Sequence, residues 1–532
     1  MNTVSAPLRP IRSRLVLGTQ LPAWIGFAAA FAFCAHYYFD LKKGFFDDVY
    51  IYLAVARNAL DYGTWQYYPG PIEREALLAS SPARILVLTI AAAISKLFGY
   101  GDRSLFDAKV TLLISGLVTW IVFAPFWRSR MAAYAWIGAF LSFLAIAMDT
   151  IFEFEGGLLL LWTATLAMLS TDYRKNLRAI GWLLPIAPLV RPDLTLPILV
   201  LIAIHLAAQR DRLLLQTIKA TIIPACTLAA IWIAICALLD VWPIPVTYWG
   251  KSAIPFLFEK DSMLSKLSER LGASLLLDFK LSPNGFAVVG WTCILVTGAA
   301  MGLTRPRIAW LAIAAMGIAY AILFSRMPAN FAWYYQNLLS LMFGLAIGRT
   351  LAATPWTVQR LVAAAATAVL LACLCFGRAP NEGPGQWRTA SQSRAQGYLS
   401  LALASTDRGT FHLPEVGEFI LRNPEIGMIS YYSRKPIFQW DSAGLAQPVD
   451  DPKVSRSFMR HFYPTSLRRT AQVDAQRIVD QVGQPLPVLS VWAMEDRNYE
   501  AARAVCRWVI PHRALCINQD RVLVPSFSRN EP

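Results

Sequence analysis

Long apolar runs recur through the first 376 residues of this chain, and they restrict its fold more than any other feature. They cover Leu21–Phe39, Ala83–Phe98, Leu105–Phe126, Met131–Met148, Gly156–Leu169, Ile180–Val190, Leu194–Ala208, Thr217–Leu239, Phe286–Leu303, Ile308–Phe324, Trp333–Ile347 and Leu361–Phe376. Backbone cannot lie unpaired in lipid, so runs of this kind read as helices. A spanning helix needs roughly twenty residues, so Ile180–Val190 is short, and its companion after Pro192 is on the short side. Hydrophobic residues make up 56% of the chain and charged residues 16%, whereas soluble domains carry about a quarter charged residues. The fold class is therefore a polytopic α-helical membrane protein. The formal charge of +15 does not signal nucleic acid, because many Arg and Lys residues sit in short turns between apolar runs. Arg9, Arg12 and Arg14 precede an apolar run of spanning length with no small-residue cleavage site, which reads as a retained anchor.

Those turns set the orientation. Arg128 and Arg130, then Arg174, Lys175 and Arg178, then Arg210 and Arg212, Arg305 and Arg307, and finally Arg349 and Arg360 mark cytoplasmic ends, together with the N-terminus. All fit if Ala83–Phe98, which follows Ser80-Ser81-Pro82 and carries Arg84 and Lys96, lies along the surface or dips in and returns. That leaves about eleven crossings and an extracytoplasmic C-terminal region. The alternative, in which Ala83–Phe98 crosses and another segment does not, strands Arg128 and Arg130 on the far side. The preferred topology gathers Asp47, Asp48, Glu153, Glu155, Arg191, Asp193, the loop from Asp240 to Gly285 and the turn from Arg326 to Trp333 on one outer face. Asp172 and Asp211 are exceptions.

The character changes after Phe376. Residues 377–394 are rich in Gly, Pro and polar types and read as a linker between a membrane domain, 1–376, and a small extracytoplasmic α/β domain, 395–532. Within it the sequence predicts strands at Gly427–Ser433, Leu486–Val491 and Ala504–Val509 and a helix over Val473–Val482. Cys506 and Cys516 are candidates for a disulfide if this domain lies outside the cell. His412, His461 and His512 have no metal-ligand spacing.

One stretch carries chemistry: Phe46-Asp47-Asp48-Val49-Tyr50-Ile51, with Arg57-Asn58, Gly63, Tyr68-Pro69-Gly70, Glu73 and Ser80-Ser81-Pro82 downstream. It resembles the first outer loop of GT-C-fold glycosyltransferases that use lipid-phosphosugars, nearest to the arabinofuranosyltransferases that use decaprenyl-phosphoryl-arabinose. Further along, Phe154-Glu155-Gly156-Gly157-Leu158, Arg191-Pro192-Asp193-Leu194, Pro245-Val246-Thr247-Tyr248-Trp249-Gly250-Lys251 and Trp333-Tyr334-Tyr335 resemble other family elements, in order and on the same side. Departures are Phe154 for Met or Leu, a missing Gly after Asp193, and Val246 and Trp249 for Asn and Tyr. Gly427–Ser433 and Asp441-x-x-Gly444-Leu445 resemble the family's outer domain. The resemblance implies transfer of a sugar, arabinofuranose among the candidates, from a polyprenyl-phosphate donor to an envelope glycan or secreted glycoprotein. It places the activity on the outer side of the inner membrane.

The residue types fit that chemistry. An attacking hydroxyl must lose a proton, and Asp47 is the candidate base. Asp48, adjacent on a loop, steadies it or shares a divalent ion, Mg²⁺ or Mn²⁺, that would neutralise the departing phosphate. Arg191 and Lys251 are candidate phosphate clamps. Arg57, on the face of a helix turned back toward the acids, is a third group for the phosphate. Glu155 holds a sugar hydroxyl or orients Arg191. Trp333, Tyr334 and Tyr335, with Trp249, offer flat surfaces for a sugar or the isoprenoid. The competing readings are structural. Asp47 and Asp48 would cap a surface helix, Arg191 would snorkel from a short helix, and the aromatics would form an interfacial belt. At the level of function the rivals are a non-catalytic envelope-assembly protein on the same fold and a transporter. A transporter is disfavoured by the lack of an internal repeat and by charges gathered at one surface instead of the midplane.

Overall fold

A computed structural model describes residues 47–69, 80–130, 155–191, 213–245, 334–353, 396–423, 427–441, 471–483, 485–493 and 506–523, with isolated positions between them. Two parts are evident, a set of apolar helices and a mixed sheet domain packed against them.

Helix α1 (Asp47–Asp61) lies at the centre of the first part: every residue from Val49 to Ala56 is buried. It stops at Gly63, whose φ of +73° suits a residue without Cβ. Asn58 then donates to the carbonyls of Gln66 and Tyr67 and folds the chain back. Helix α2 (Pro82–Leu97) starts where its sequence directs, with Pro82 in the first turn and Ser81 accepting from the Arg84 amide. Helix α3 (Leu105–Phe123) is capped in the same way by Ser104 and continues as a 3-10 stretch through Arg130.

Helices α4 (Gly156–Leu169) and α5 (Leu177–Val190) form an antiparallel hairpin with arms of equal length. The α5 arm contains a 3-10 turn at Leu184–Ile186, where Pro185 removes a donor. The Trp162 indole braces the arms by donating to the Leu183 carbonyl at 2.8 Å. Helix α6 (Leu213–Leu238) and helix α7 (Tyr334–Ala353) complete the described set. Among the described residues, Leu105–Trp127 and Leu215–Leu238 are long and apolar enough to cross a membrane. The remaining apolar runs are shorter helices or lie wholly or partly outside the described residues, and the full crossing count lies with them.

Contacts sort to two ends. At one end the Trp127 indole donates to Thr165, Thr217 donates to Tyr173, and Gly181 sits against the Ala220 backbone. Basic residues Arg128, Arg130, Arg174, Lys175 and Arg178 lie in the turns at that end. At the other end Thr64 and the Trp65 amide donate to the Leu239 carbonyl, Gln66 donates to Asp240, and Glu155 meets Arg191. Helix α2 runs back along α3, with Arg84 reaching Ser115 and Ser95 reaching Asp107. Ser80, just before α2, and Ser95, in its last turn, are both tied to groups of this second end.

The second part is a six-stranded sheet. Strand β2 (Gly417–Asn423) pairs with β1 (Phe411–Leu413) and β3 (Gln439–Asp441) along one edge and with β4 (Pro487–Ala493) along the other. Beyond β4 come β6 (Leu515–Leu523) and then β5 (Trp508–Ile510), both antiparallel. Cys506 and Cys516 are disulfide-bonded, with Cα atoms 5.7 Å apart. Helix α9 (Ala471–Val482) and β4 fall where the sequence predicts. Gly427–Ser433 does not form the expected strand: Gly427–Tyr432 is helix α8. The aromatic run reads as strand by propensity. All six residues are buried, however, and a helical turn sends consecutive tyrosines to different partners.

Those partners join the two parts. Tyr431 donates to Asp107 at 3.0 Å, and the Tyr432 and Tyr50 hydroxyls are bonded at 2.9 Å. Asp107 also pairs with Arg57, and Arg103 donates to the carbonyls of Ser430 and Ser433 and to Asn58 and Asp61. Burial pushes the Tyr432 hydroxyl up to about 12. Burial, followed by the charge of Asp107, holds Tyr431 well above its ordinary value.

Two sets of variants test these packings. A side chain at Gly344 or Gly348 would enter the backbone and side chains of α4 at Leu160–Ala167, the close approach that small residues four apart allow. Gly344→Leu is expected to cost about 1–3 kcal/mol. Gly116→Ala, whose methyl meets no atom within 4 Å, should be neutral or slightly stabilising in thermal unfolding in detergent. At the junction, Asp107→Ala leaves the Arg57 guanidinium unpaired and is expected to cost about 3–5 kcal/mol. Tyr431→Phe removes one hydrogen bond and should cost about 1 kcal/mol, read in the same assay.

Candidate functional site

The α4–α5 hairpin dictates where its open ends meet. Glu155 caps the start of α4 and Arg191 follows the last residue of α5, so arms of equal length bring the two side by side. They form an ion pair, with side chains 1% and 7% exposed respectively. Glu155 sits at the N-cap position, yet its side chain makes no capping hydrogen bond. Its carboxylate is turned to Arg191 and not to its own helix.

Two further segments close on this pair. The Tyr52 hydroxyl, from α1, donates to Glu155 Oε2 at 3.4 Å and lies 2.6 Å from Ser80 Oγ. The Ser80 amide donates back to that hydroxyl at 3.1 Å, and Arg191 Nη1 donates to Ser80 Oγ at 3.5 Å. Four stretches of chain thus contribute Tyr52, Ser80, Glu155 and Arg191 to one buried polar cluster at the open end of an apolar helix set. Withdrawing two charges from water costs several kcal/mol per ion, and the pair recovers that only with good geometry and further hydrogen bonds. Tyr52 and Ser80 supply those bonds.

Asp47 and Asp48 are not on a loop: they are the first two residues of α1. Residues four apart share a helix face and side chains lean toward the N-terminus, so position 48 is one turn before Tyr52 on the face that carries the cluster. Their side chains lie outside the described residues. So do those of Tyr334 and Tyr335, whose backbone opens α7, and all of Trp333, Lys251, Trp249, Glu153 and Asp193. Arg57 departs from its expected role. It is buried, pairs with Asp107, and donates to the Tyr100 carbonyl at 3.1 Å and to Thr111 at 3.3 Å, so it is engaged within the α1–α3 packing. It points there because it follows Tyr52 by five residues, which places it on a different side of α1. Tyr52 and Ser80 were not among the site residues the sequence singles out. The signal was present in Tyr50-Ile51-Tyr52 and Ser80-Ser81-Pro82, but nothing in spacing alone shows a tyrosine reaching across to residue 155. Among the described residues, no three His, Cys, Asp or Glu side chains gather as a metal site.

No protein-family profile matches the chain, and no curated protein sequence matches it. Among solved structures, ArnT from Cupriavidus metallidurans, in a crystal structure bound to undecaprenyl phosphate, is similar over 92% of this chain and 96% of its own. The identity is 14% and the TM-score 0.48.

A double-mutant cycle tests the cluster. Arg191→Gln alone should cost about 3–5 kcal/mol, because it leaves a buried carboxylate without its cation. The double variant Glu155→Gln/Arg191→Gln should be markedly less destabilised than that single change, measured by thermal unfolding in detergent.

Proposed function

We propose that this protein is a membrane glycosyltransferase that moves a sugar from a polyprenyl-phosphate donor to an envelope glycan or a secreted glycoprotein. The observation that carries the reading is the buried Glu155–Arg191 pair with Tyr52 and Ser80, at the end of an apolar helix set where α1 begins with Asp47 and Asp48. Such a donor buries its tail in lipid and presents one phosphate at the membrane surface. A guanidinium there can meet charge that grows on the leaving phosphate. Arg191 is assigned that role, with Lys251 as a second cation. Asp47 is assigned as the base that takes the proton of the attacking hydroxyl, and Asp48 as the group that steadies it. Glu155 orients Arg191, and Tyr52 with Ser80 holds Glu155. Trp333, Tyr334 and Tyr335 are assigned to the sugar ring or the isoprenoid. Arg57 is assigned to the helix packing.

A divalent ion held by Asp47 and Asp48 would need further oxygen ligands. Glu155 is engaged with Arg191 and so is not offered as one of them. The Cys506–Cys516 disulfide suits an oxidising compartment, which favours the outer side for the sheet domain and the site beside it. A pentose, arabinofuranose first, is the donor sugar to test.

The assay uses purified protein in nanodiscs, a panel of polyprenyl-phosphate sugars and a crude envelope glycan. The readout is release of polyprenyl phosphate. One donor should support release that depends on acceptor, and Asp47→Asn should reduce it by about 10²–10⁴-fold. Release from no donor would contradict the reading. Turnover unchanged in Asp47→Asn would remove the assigned base.

A further inference from the structure

We infer that Glu155 occupies the place of the donor phosphate, and that Arg191 exchanges the Glu155 carboxylate for that phosphate when donor binds. The inference rests on the reading of Arg191 as the phosphate clamp. It starts from the use made of each oxygen of Glu155. One faces the Arg191 guanidinium and the other accepts from the Tyr52 hydroxyl. The carboxylate gives nothing to the helix it caps. Instead it satisfies a set of donors, a guanidinium and a hydroxyl, that would serve a phosphate equally well, because carboxylate and phosphate oxygens suit the same bidentate donors. The Ser80 amide and hydroxyl stand within the same network, bonded to Tyr52.

Charge makes the two occupants exclusive. A phosphate brought beside Arg191 while Glu155 remains paired would meet a like charge in a site nearly closed to water, where such repulsion is strong. Arg191 must therefore leave Glu155 to take the phosphate. Glu155 becomes free to accept from a sugar hydroxyl only when donor is present. While Glu155 and Arg191 are paired the carboxylate is occupied, so the exchange puts donor binding before productive acceptor binding.

The exchange predicts an effect that a purely structural role would not produce. Removing the competing acid should tighten binding of a long-chain polyprenyl phosphate. With the full-length protein in detergent and intrinsic fluorescence as the readout, Glu155→Gln is expected to bind about tenfold more tightly than wild type, a shift of one decade in Kd. Arg191→Gln should bind at least tenfold more weakly. Glu155→Asp keeps the charge but withdraws it by one carbon; it should also tighten binding, and it decides the matter if Glu155→Gln does not fold. If Arg191→Gln weakens binding while neither Glu155 variant tightens it, the exchange is overturned and the clamp stands. If Arg191→Gln binds as wild type does, the clamp and the exchange both fall. A structure of wild-type protein with polyprenyl phosphate gives the direct view. Arg191 turned from Glu155 onto the phosphate supports the exchange, and an intact Glu155–Arg191 pair beside bound lipid overturns it.

Discussion

A carboxylate and a guanidinium withdrawn from water each cost several kcal/mol unless they meet in good geometry, and here Glu155 and Arg191 meet at the open end of the α4–α5 hairpin. The surrounding arrangement follows from that demand. Equal arms are needed so that position 155 and position 191 finish level. The Trp162 brace fixes the arms against sliding, and α7 lies close on α4 because Gly344 and Gly348 leave room for its backbone. Tyr52 must reach from α1, and Ser80 from the start of α2, to satisfy the second oxygen and the hydroxyls around it.

The position of α1 is therefore what the site depends on, and α1 is held mostly from its far side. Arg57 is locked to Asp107, Asn58 to Arg103 and to its own returning loop, and Tyr50 to Tyr432. Three of these links involve the sheet domain: Tyr50–Tyr432 directly, and the other two through Asp107, which accepts from Tyr431, and Arg103, which donates to the Ser430 and Ser433 carbonyls. The sheet domain is thus part of the support of the helix that begins with Asp47 and Asp48. Its helix α8 is the contact surface, and a strand in its place would not offer Tyr431 to Asp107 and Tyr432 to Tyr50 at once.

Much of this was legible in the sequence for identifiable reasons. Apolar runs announce helices, and Ser81-Pro82 and Ser104 announce helix starts through capping chemistry. Glu155 and Arg191 stood out as charges on one face of the predicted topology and within family-like stretches, while the hairpin that joins them was not read from the sequence. Long-range partners were not legible. Arg57 faces Asp107 fifty residues on, and Tyr52 faces Glu155 across 103 residues, pairings that depend on helix packing and not on local pattern. The run at 427–432 misled because strand propensity describes a half-buried surface, whereas this segment is buried throughout.

One end of the helix set gathers the polar site and the sheet domain, and the opposite end carries the basic turns. Sidedness tests this arrangement most directly. Lys175→Cys lies in the turn between α4 and α5 and Arg408→Cys in the sheet domain; both positions are exposed. In a background with the other unpaired cysteines replaced by alanine, each variant would be treated with a membrane-impermeant maleimide in right-side-out and inverted vesicles. Position 408 should be labelled in right-side-out vesicles and position 175 in inverted ones. Labelling of both positions from the same side would contradict this arrangement.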